Sequence, residues 1–318
     1  MGAPRLFLVV PCYNEEAVLP ETVQQLRDKL DELTAAGKCA PDSRILLVDD
    51  GSRDATWALI LAAHAADERI SGLKLAHNRG HQNALLAGLM AARPLCDCAI
   101  SLDADLQDDV GVLGEFLDKF ALGKEIVYGV RRRRTTDTAF KRGTARAFYK
   151  IMKALGVEVV YDHADYRLMG RRALDALAQY RETNLFLRGI VPTIGFATDT
   201  VLYDRRERFA GQSKYPLRKM VAFAAEGITS FSVKPLRIIS NLGIVVSAGS
   251  VAGLLYALIS HFCGSTVPGW TAIVCSIWLL GGIQLLCIGV LGTYIGKLYS
   301  EVKGRPRYIV EEFLNNEQ

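Results

Sequence analysis

The chain lacks several features that would point directly to a chemistry. It has no Cys-x-x-Cys pair, and its seven cysteines are scattered, with Cys263, Cys275 and Cys287 in the apolar C-terminal third. That usage excludes a disulfide framework and a zinc ribbon, and it fits reduced thiols in a cytosolic compartment. No Gly-x-Gly-x-x-Gly follows the first apolar run, which argues against a nicotinamide or flavin dehydrogenase. The N-terminal "LFLVV" is too short for the core of a signal peptide. "MGAPRL" has no Ser or Thr at position 6, so it does not fit the myristoylation pattern. A net charge of +4 is too small by itself to imply nucleic acid.

Charge is also missing from two long segments. Residues 238–262 and 270–295 contain no Asp, Glu, Lys or Arg. At 1.5 Å per residue each would span ~37–39 Å as a helix, more than the ~30 Å hydrocarbon core of a bilayer. These runs raise the apolar content to 50% and predict two transmembrane helices joined by "CGSTVPG". Lys214, Arg218, Lys219, Lys234 and Arg237 precede the first, and Lys297, Lys303, Arg305 and Arg307 follow the second. The positive-inside rule then places both termini in the cytoplasm. Gly249-x-x-x-Gly253 and Gly292-x-x-x-Gly296 could let helices approach closely, a weak pointer to a homo-oligomer.

The first half alternates strand and helix. Strands are expected at 5–10, 44–48, 73–76, 99–102 and 125–130. Pro20 suits a first helical turn, and Val23, Leu26, Leu30 and Leu33 recur at helical spacing behind it. Helices are expected through Ala65, after "NRGHQ", and over 110–120. A further amphipathic helix is expected over 139–155, and "DHADYRLMGRRALDAL" reads as loop, short strand and helix. The fold class is α/β, with a mostly parallel sheet and helices on both faces. The expected domains are 1–210, a basic juxtamembrane segment at 211–235, the two spans within 236–296, and a cytoplasmic tail at 297–318.

In such sheets ligands bind beyond the carboxyl ends of the strands. Three polar clusters fall there: Tyr13-Asn14-Glu15, Asp49-Asp50-Gly51-Ser52, and Asp103-Ala104-Asp105. In "CAISLDADLQDD" an apolar run ends in Asp103, Asp105, Asp108 and Asp109. Carboxylates this close repel one another unless solvated or neutralised. An Asp-x-Asp pair suits a hard cation such as Mg²⁺ or Mn²⁺, which leaves coordination places for phosphates and water. His81 and His163 are lone loop histidines and are left without a role.

The order "VVPCYNEE", "VDDGSRDAT", "NRGHQNALLAGL", "DADLQDD" resembles the family 2 glycosyltransferases of the GT-A fold. The likeness continues through "DYRLMGRRAL", "RFAGQSKYPLRKM" and "KGRPRYIVEE". It is nearest the polyprenyl-phosphate hexosyltransferases, which include bactoprenol glucosyltransferases and dolichol-phosphate mannose synthases. One departure is Asp109-Val110, where relatives usually have Pro after "DLQD". The "RRRR" block of Arg131 to Arg134 is another.

The resemblance implies roles. Pro11, Tyr13, Asn14, Glu15 and Asp50 would hold the nucleotide, and Asp103 would contact ribose or sugar. Asp105 and Gln107 would reach the metal. Arg208 and Lys214 would pair with phosphate, with Arg131, Arg132 and Lys214 the candidates for an acceptor phosphate. Asp165 falls where relatives place a catalytic carboxylate; it would be a base, or it would orient the sugar or Arg167. Asp165, Asp105 and Arg208 are the catalytic candidates. The implied reaction moves a hexose from a nucleotide sugar onto a polyprenyl phosphate, with inversion, at the cytoplasmic membrane face. UDP-glucose is the first choice of donor, beside UDP-N-acetylglucosamine and GDP-mannose, and the acceptor would be undecaprenyl or dolichyl phosphate. Two rivals remain. A processive polysaccharide synthase would carry Gln-x-x-Arg-Trp, which Trp57, Trp270 and Trp278 do not match. A catalytically silent, membrane-anchored nucleotide-sugar binder would not need the intact Asp103, Asp105 and Gln107 set.

Overall fold

Seven consecutive apolar or small residues, Leu6–Cys12, form β1, and all seven are buried. A strand buried on both faces belongs in the middle of a covered sheet. The surrounding structure, a computed structural model, describes residues 2–132, 163–183, 185–204, 234–262 and 269–315. In chain order after β1 come α1 (Leu19–Ala35), β2 (Arg44–Asp49), α2 (Thr56–Ala66), β3 (Ile70–Leu75), α3 (His81–Ala92), β4 (Cys98–Ser101), α4 (Leu113–Ala121) and β5 (Ile126–Arg131). Then follow β6 (His163–Gly170), α5 (Arg171–Leu177), α6 (Leu187–Thr193) and β7 (Thr198–Tyr203). The chain closes with α7 (Lys234–Phe262), α8 (Trp270–Val302) and β8 (Val310–Leu314). The helix expected over 139–155 lies outside the described residues, as do Arg208 and Lys214.

The sheet order is β7-β5-β6-β4-β1-β2-β3-β8. Four of the seven pairings are parallel, and β8, β4 with β6, and β6 with β5 supply the antiparallel ones. The α/β class and mostly parallel sheet therefore hold. The chain runs outward from β1 through β2 to β3, then returns to place β4 on the other side of β1. This reversal creates a crevice beyond the carboxyl ends of β1 and β4, the usual ligand position in such sheets.

The helices cover the sheet with their apolar faces. Val23, Leu26, Leu30 and Leu33 of α1 are buried, as the spacing required. α3 lies close on the sheet because position 88 is Gly: a Cβ there would meet Val9 Cγ1 at 2.5 Å and Val48 Cγ2 at 2.6 Å. The expected helix at 110–120 begins as a 3₁₀ turn, Val110–Val112, before α4. Asp109 caps that turn through a 3.0 Å bond from Gly111 N. A helix start is thus retained at Asp109-Val110.

The chain forms two compact units. One comprises Met1–Thr144, Val159–Lys214 and Arg305–Gln318; the other comprises Ala145–Glu158 and Tyr215–Gly304. The expected domain division set residues 297–318 apart as a tail, but the chain re-enters the sheet. Val310–Leu314 pairs antiparallel with β3, with Lys74 bonded to Glu311 at 2.9 Å and Arg44 to Asn315 at 2.8 Å. In the second unit, α7 has 29 residues and α8 has 33, longer than the uncharged runs alone. Among the described residues one segment, Leu279–Val302, is long and apolar enough to cross a membrane by length and composition.

Candidate functional site

The crevice is built by loops that brace one another. Asn14 follows β1 with φ 54°, a left-handed turn that Asn tolerates. Its N–H donates to Ser52 Oγ at 3.0 Å, and its Oδ1 accepts from Arg53 N at 2.9 Å. Glu15 N donates to Thr56 Oγ1 at 2.9 Å. The "YNEE" and "DGSRDAT" stretches are therefore one unit. Within it Tyr13 is exposed, whereas Pro11 is buried inside β1.

Asp50, expected to hold the nucleotide, also braces the backbone of the site. It is only 2% exposed, and its two oxygens accept from Arg79 N at 2.7 Å and Gly80 N at 2.8 Å. Its place is to pin the loop between β3 and α3. That loop delivers His81 and Gln82 at the first turn of α3. Gln82 Oε1 in turn accepts from Leu187 N at 3.0 Å, which fixes the start of α6 and, with it, Arg188.

The acidic turn after β4 is held by Thr22, whose hydroxyl donates to the Ala104 carbonyl at 2.7 Å. Leu106 takes φ 56°, and Asp105 Oδ1 accepts from Gln107 N at 3.2 Å. Burial, with Asp108, Asp165 and Asp105 nearby, pushes the Asp103 carboxyl up to about 6, although His81 opposes the shift. Asp108 is buried, which raises its carboxyl. It accepts from Tyr203 OH at 2.6 Å through Oδ1, and Oδ2 has no hydrogen-bond partner among the described residues. Arg131 Nε donates to the same Tyr203 hydroxyl at 3.3 Å, so one phenol links the acidic turn to the first Arg of the basic block. Arg132 is exposed and stands 3.9 Å from Asp204.

Asp165 lies on β6, which pairs with β4, and the Ser101 hydroxyl donates to its carbonyl. Its carboxylate is almost fully enclosed. Oδ1 accepts from Arg167 NH2 at 2.6 Å and Arg188 Nε at 3.3 Å; Oδ2 accepts from Arg188 NH2 at 3.1 Å. His81 Nε2 stands 3.7 Å from Asp165 Oδ2 and 3.5 Å from Asp103 Oδ1. Burial works against ionisation of Asp165, but His81, Arg167 and Arg188 outweigh it and hold the carboxyl well below the usual carboxylate range. Burial also opposes a charged His81, yet Asp165 and Asp103 raise its imidazole above the ordinary value.

The structure thus brings Asp103 and Asp165 together and keeps Asp105 and Gln107 on the adjoining turn. His81 had no expected role, and Arg188 was not singled out. "NLFLRGI" offers no local signal, because Arg188 reaches Asp165 only through the folded path of β6 and α6. Among the described residues no three His, Cys, Asp or Glu side chains are grouped to hold a metal. Two carboxylates and one amide oxygen still form a hard donor set of the kind that Mg²⁺ or Mn²⁺ shares with phosphate and water. Burial first, and then the neighbouring carboxylates, raise Asp103, and a bound cation would offset both.

Residues 7–178 match the model of Glycosyl transferase family 2. The uncharacterized glycosyltransferase YkoT of Bacillus subtilis (strain 168) is 54% identical over 315 residues, 99% of this chain and 94% of that protein. The bactoprenol glucosyl transferase of Shigella phage SfII is 38% identical over 310 residues, 97% of this chain and 98% of that protein. The mannosyltransferase PcManGT of Pyrobaculum calidifontis, solved with GDP-Man and Mn²⁺, is 15% identical with a TM-score of 0.42. It covers 95% of this chain and 86% of that one, a likeness too distant to assign residues.

Proposed function

This chain belongs to glycosyl transferase family 2, and we propose that it transfers a hexose from a nucleotide sugar to a polyprenyl phosphate at the cytoplasmic face of a membrane. UDP-glucose is the favoured donor, with UDP-N-acetylglucosamine and GDP-mannose the next to test. Full-length similarity to a bactoprenol glucosyl transferase supports the lipid acceptor. The observation that carries the reading is the convergence of the loops after β1, β2, β3 and β4: Asn14 bonds to Ser52, Asp50 holds the turn before α3, and His81 of that turn stands 3.5 Å from Asp103.

In this reading Tyr13, Asn14 and Glu15 line the nucleotide, and Asp103 faces the ribose or sugar. Asp105 and Gln107 hold Mg²⁺ or Mn²⁺, which supplies Lewis-acid stabilisation of the diphosphate. An oxygen of the lipid phosphate attacks C1 of the sugar. The new O–C1 bond forms as the bond from C1 to the nucleoside diphosphate breaks, and the electron pair leaves with the diphosphate, inverting C1. A phosphate monoester has a second pKa of about 6, so it is largely dianionic at pH 7 and has no proton to surrender. Arg131, oriented by Tyr203, together with Arg208 and Lys214, is the cationic set proposed for the phosphates. α7 and α8 serve as the membrane anchor, a two-helix hairpin with both ends in the cytoplasm.

The test is transfer of radiolabelled sugar by membranes carrying the chain, with and without chelator, across a panel of nucleotide sugars. We expect label in a lipid-extractable, acid-labile product, and Asp105→Asn is expected to lose nearly all of it while still folding. Substantial turnover in that variant would remove Asp105 from the metal site. Binding without transfer would favour the silent nucleotide-sugar binder.

A further inference from the structure

We infer that the Tyr203 hydroxyl is a positioning group for both halves of the reaction. It holds the turn proposed to carry the metal and, through the same oxygen, the arginine proposed for the acceptor phosphate. The inference rests on the glycosyl-transfer reading and deepens it.

The turn after β4 is held from outside. Leu106 is left-handed within it, at φ 56°, a conformation that a residue with a Cβ resists. On one side of Asp105, Thr22 donates to the Ala104 carbonyl at 2.7 Å. On the other side of Gln107, Tyr203 donates to the Asp108 carboxylate at 2.6 Å and Tyr166 donates to the Asp109 carbonyl at 3.0 Å. Asp105 and Gln107 lie between these clamps. The two phenols come from β7 and β6, strands that supply none of the loops after β1, β2, β3 and β4.

Tyr203 is itself fixed. It is 1% exposed, and its ring stands edge-on to Tyr166 with centroids 5.2 Å apart. Tyr166 in turn packs on Phe116 at 4.8 Å. Position 129 is Gly, where a Cβ would meet Tyr166 Cδ1 at 2.9 Å and Tyr203 Cε1 at 3.2 Å, so both rings close over bare backbone. A hydroxyl has one proton to donate and lone pairs with which to accept. Here the proton goes to Asp108 Oδ1, and the oxygen accepts from Arg131 Nε at 3.3 Å. Both bonds involve a charged group, the stronger kind. Arg131 is also the register partner of Tyr203 between β5 and β7, and Arg132 N donates to the Tyr203 carbonyl at 2.8 Å. A bond at Nε sets the plane of the guanidinium fork and does not use its two terminal nitrogens. One oxygen therefore couples two sites: a shift of the acidic turn moves the hydroxyl and, with it, the fork.

The experiment uses the full chain in detergent. It reads the Kd for Mn²⁺ in the presence of UDP by electron paramagnetic resonance, the Kd for UDP without metal, the KM for undecaprenyl phosphate, and Tm. The proteins are wild type, Tyr203→Phe, Arg131→Gln, Asp108→Ala and the double variant Tyr203→Phe/Arg131→Gln. Tyr203→Phe keeps the ring and removes only the hydroxyl. It should weaken Mn²⁺ binding at least threefold and raise the acceptor KM at least fivefold, with metal-free UDP binding within twofold of wild type. Arg131→Gln should raise the acceptor KM and leave Mn²⁺ binding within twofold. The double variant should have a KM within twofold of Arg131→Gln, because the hydroxyl acts on the acceptor through that arginine. Asp108→Ala removes the other partner of the hydroxyl, so it should raise the acceptor KM at least threefold, and it carries the test if Tyr203→Phe does not fold. A merely structural tyrosine would lower Tm and leave both constants within twofold, and that result overturns the inference. So does a change in one constant without the other, a KM effect that multiplies in the double variant, or an unchanged KM in Arg131→Gln or Asp108→Ala. Mn²⁺ binding needs no turnover, so wild-type protein that binds Mn²⁺ with UDP but transfers no sugar from any donor would instead sink the underlying reading.

Discussion

Replacing Arg167 by Met tests how much the enclosed ion pair contributes to the fold. Arg167 is buried, donates to Asp165 at 2.6 Å and reaches the Leu187 carbonyl at 3.4 Å. Breaking a buried pair by removing one partner costs about 3–5 kcal/mol when the other charge is left uncompensated. Here the loss is smaller for two reasons. Arg188 and His81 still face Asp165. Arg167 Nε is also buried without a partner among the described residues, a desolvation cost that Met does not carry. A loss of about 2–3 kcal/mol remains, which for a domain of this size lowers Tm by about 4–12 °C. Because the Asp165 carboxyl is depressed in the fold, its contribution is full above the ordinary carboxylate range and fades as pH falls toward the folded value. The difference between the two proteins should therefore hold from pH 6 to 8 and shrink only in strong acid. Thermal unfolding of the purified chain, followed by near-ultraviolet circular dichroism, reads it. Met replacement that melts within about 1 °C of wild type at pH 7 would refute the reasoning.

Asp103 carries the opposite sign. Its carboxyl is raised to about 6, so its ionised form weakens the fold. Metal-free protein in EDTA should gain stability as pH falls from 7.5 through 6 toward the ordinary carboxylate value. Asp103→Asn should melt above wild type at pH 7.5 and converge with it near pH 4; a gap independent of pH would count against the shift. Gly51→Ala should be costly, because Gly51 sits at φ +67° and a Cβ would meet Asn78 N at 2.7 Å and the His77 carbonyl carbon at 2.8 Å. Left-handed strain and the clash with backbone together predict a loss of about 2–4 kcal/mol by denaturant titration, and a loss under 0.5 would place the loop elsewhere.

The parts of the structure legible in the sequence were those governed by local pattern. The spacing of Val23, Leu26, Leu30 and Leu33 fixes one face of α1 whatever surrounds it. The apolar runs that stop at Tyr13, Asp50 and Asp103 mark strand ends, and a parallel sheet places those ends along one edge. What local pattern does not carry is strand order. Nothing in "DYRLMG" announces that β6 lies antiparallel between β4 and β5 and so brings Asp165 beside Asp103. Asp50 has the composition of a ligand residue, and only the path of the next loop reveals that backbone amides use both its oxygens. Arg188 and Gln82 were invisible for the same reason, since their partners are 23 and 105 residues away.

The eighth strand has a consequence for biosynthesis. Residues 310–314 emerge from the ribosome after both long helices, yet their partner β3 is complete more than two hundred residues earlier. Until those residues are made, one rim of the nascent sheet stays open, with Gly72 to Leu75 unmatched on that side. A catalytic unit assembled this way cannot be separated from its hydrophobic extension by a single cut in the gene. An expression fragment ending before α7 would lack its own final strand, and an internal deletion that splices residue 304 back to the body would retain it.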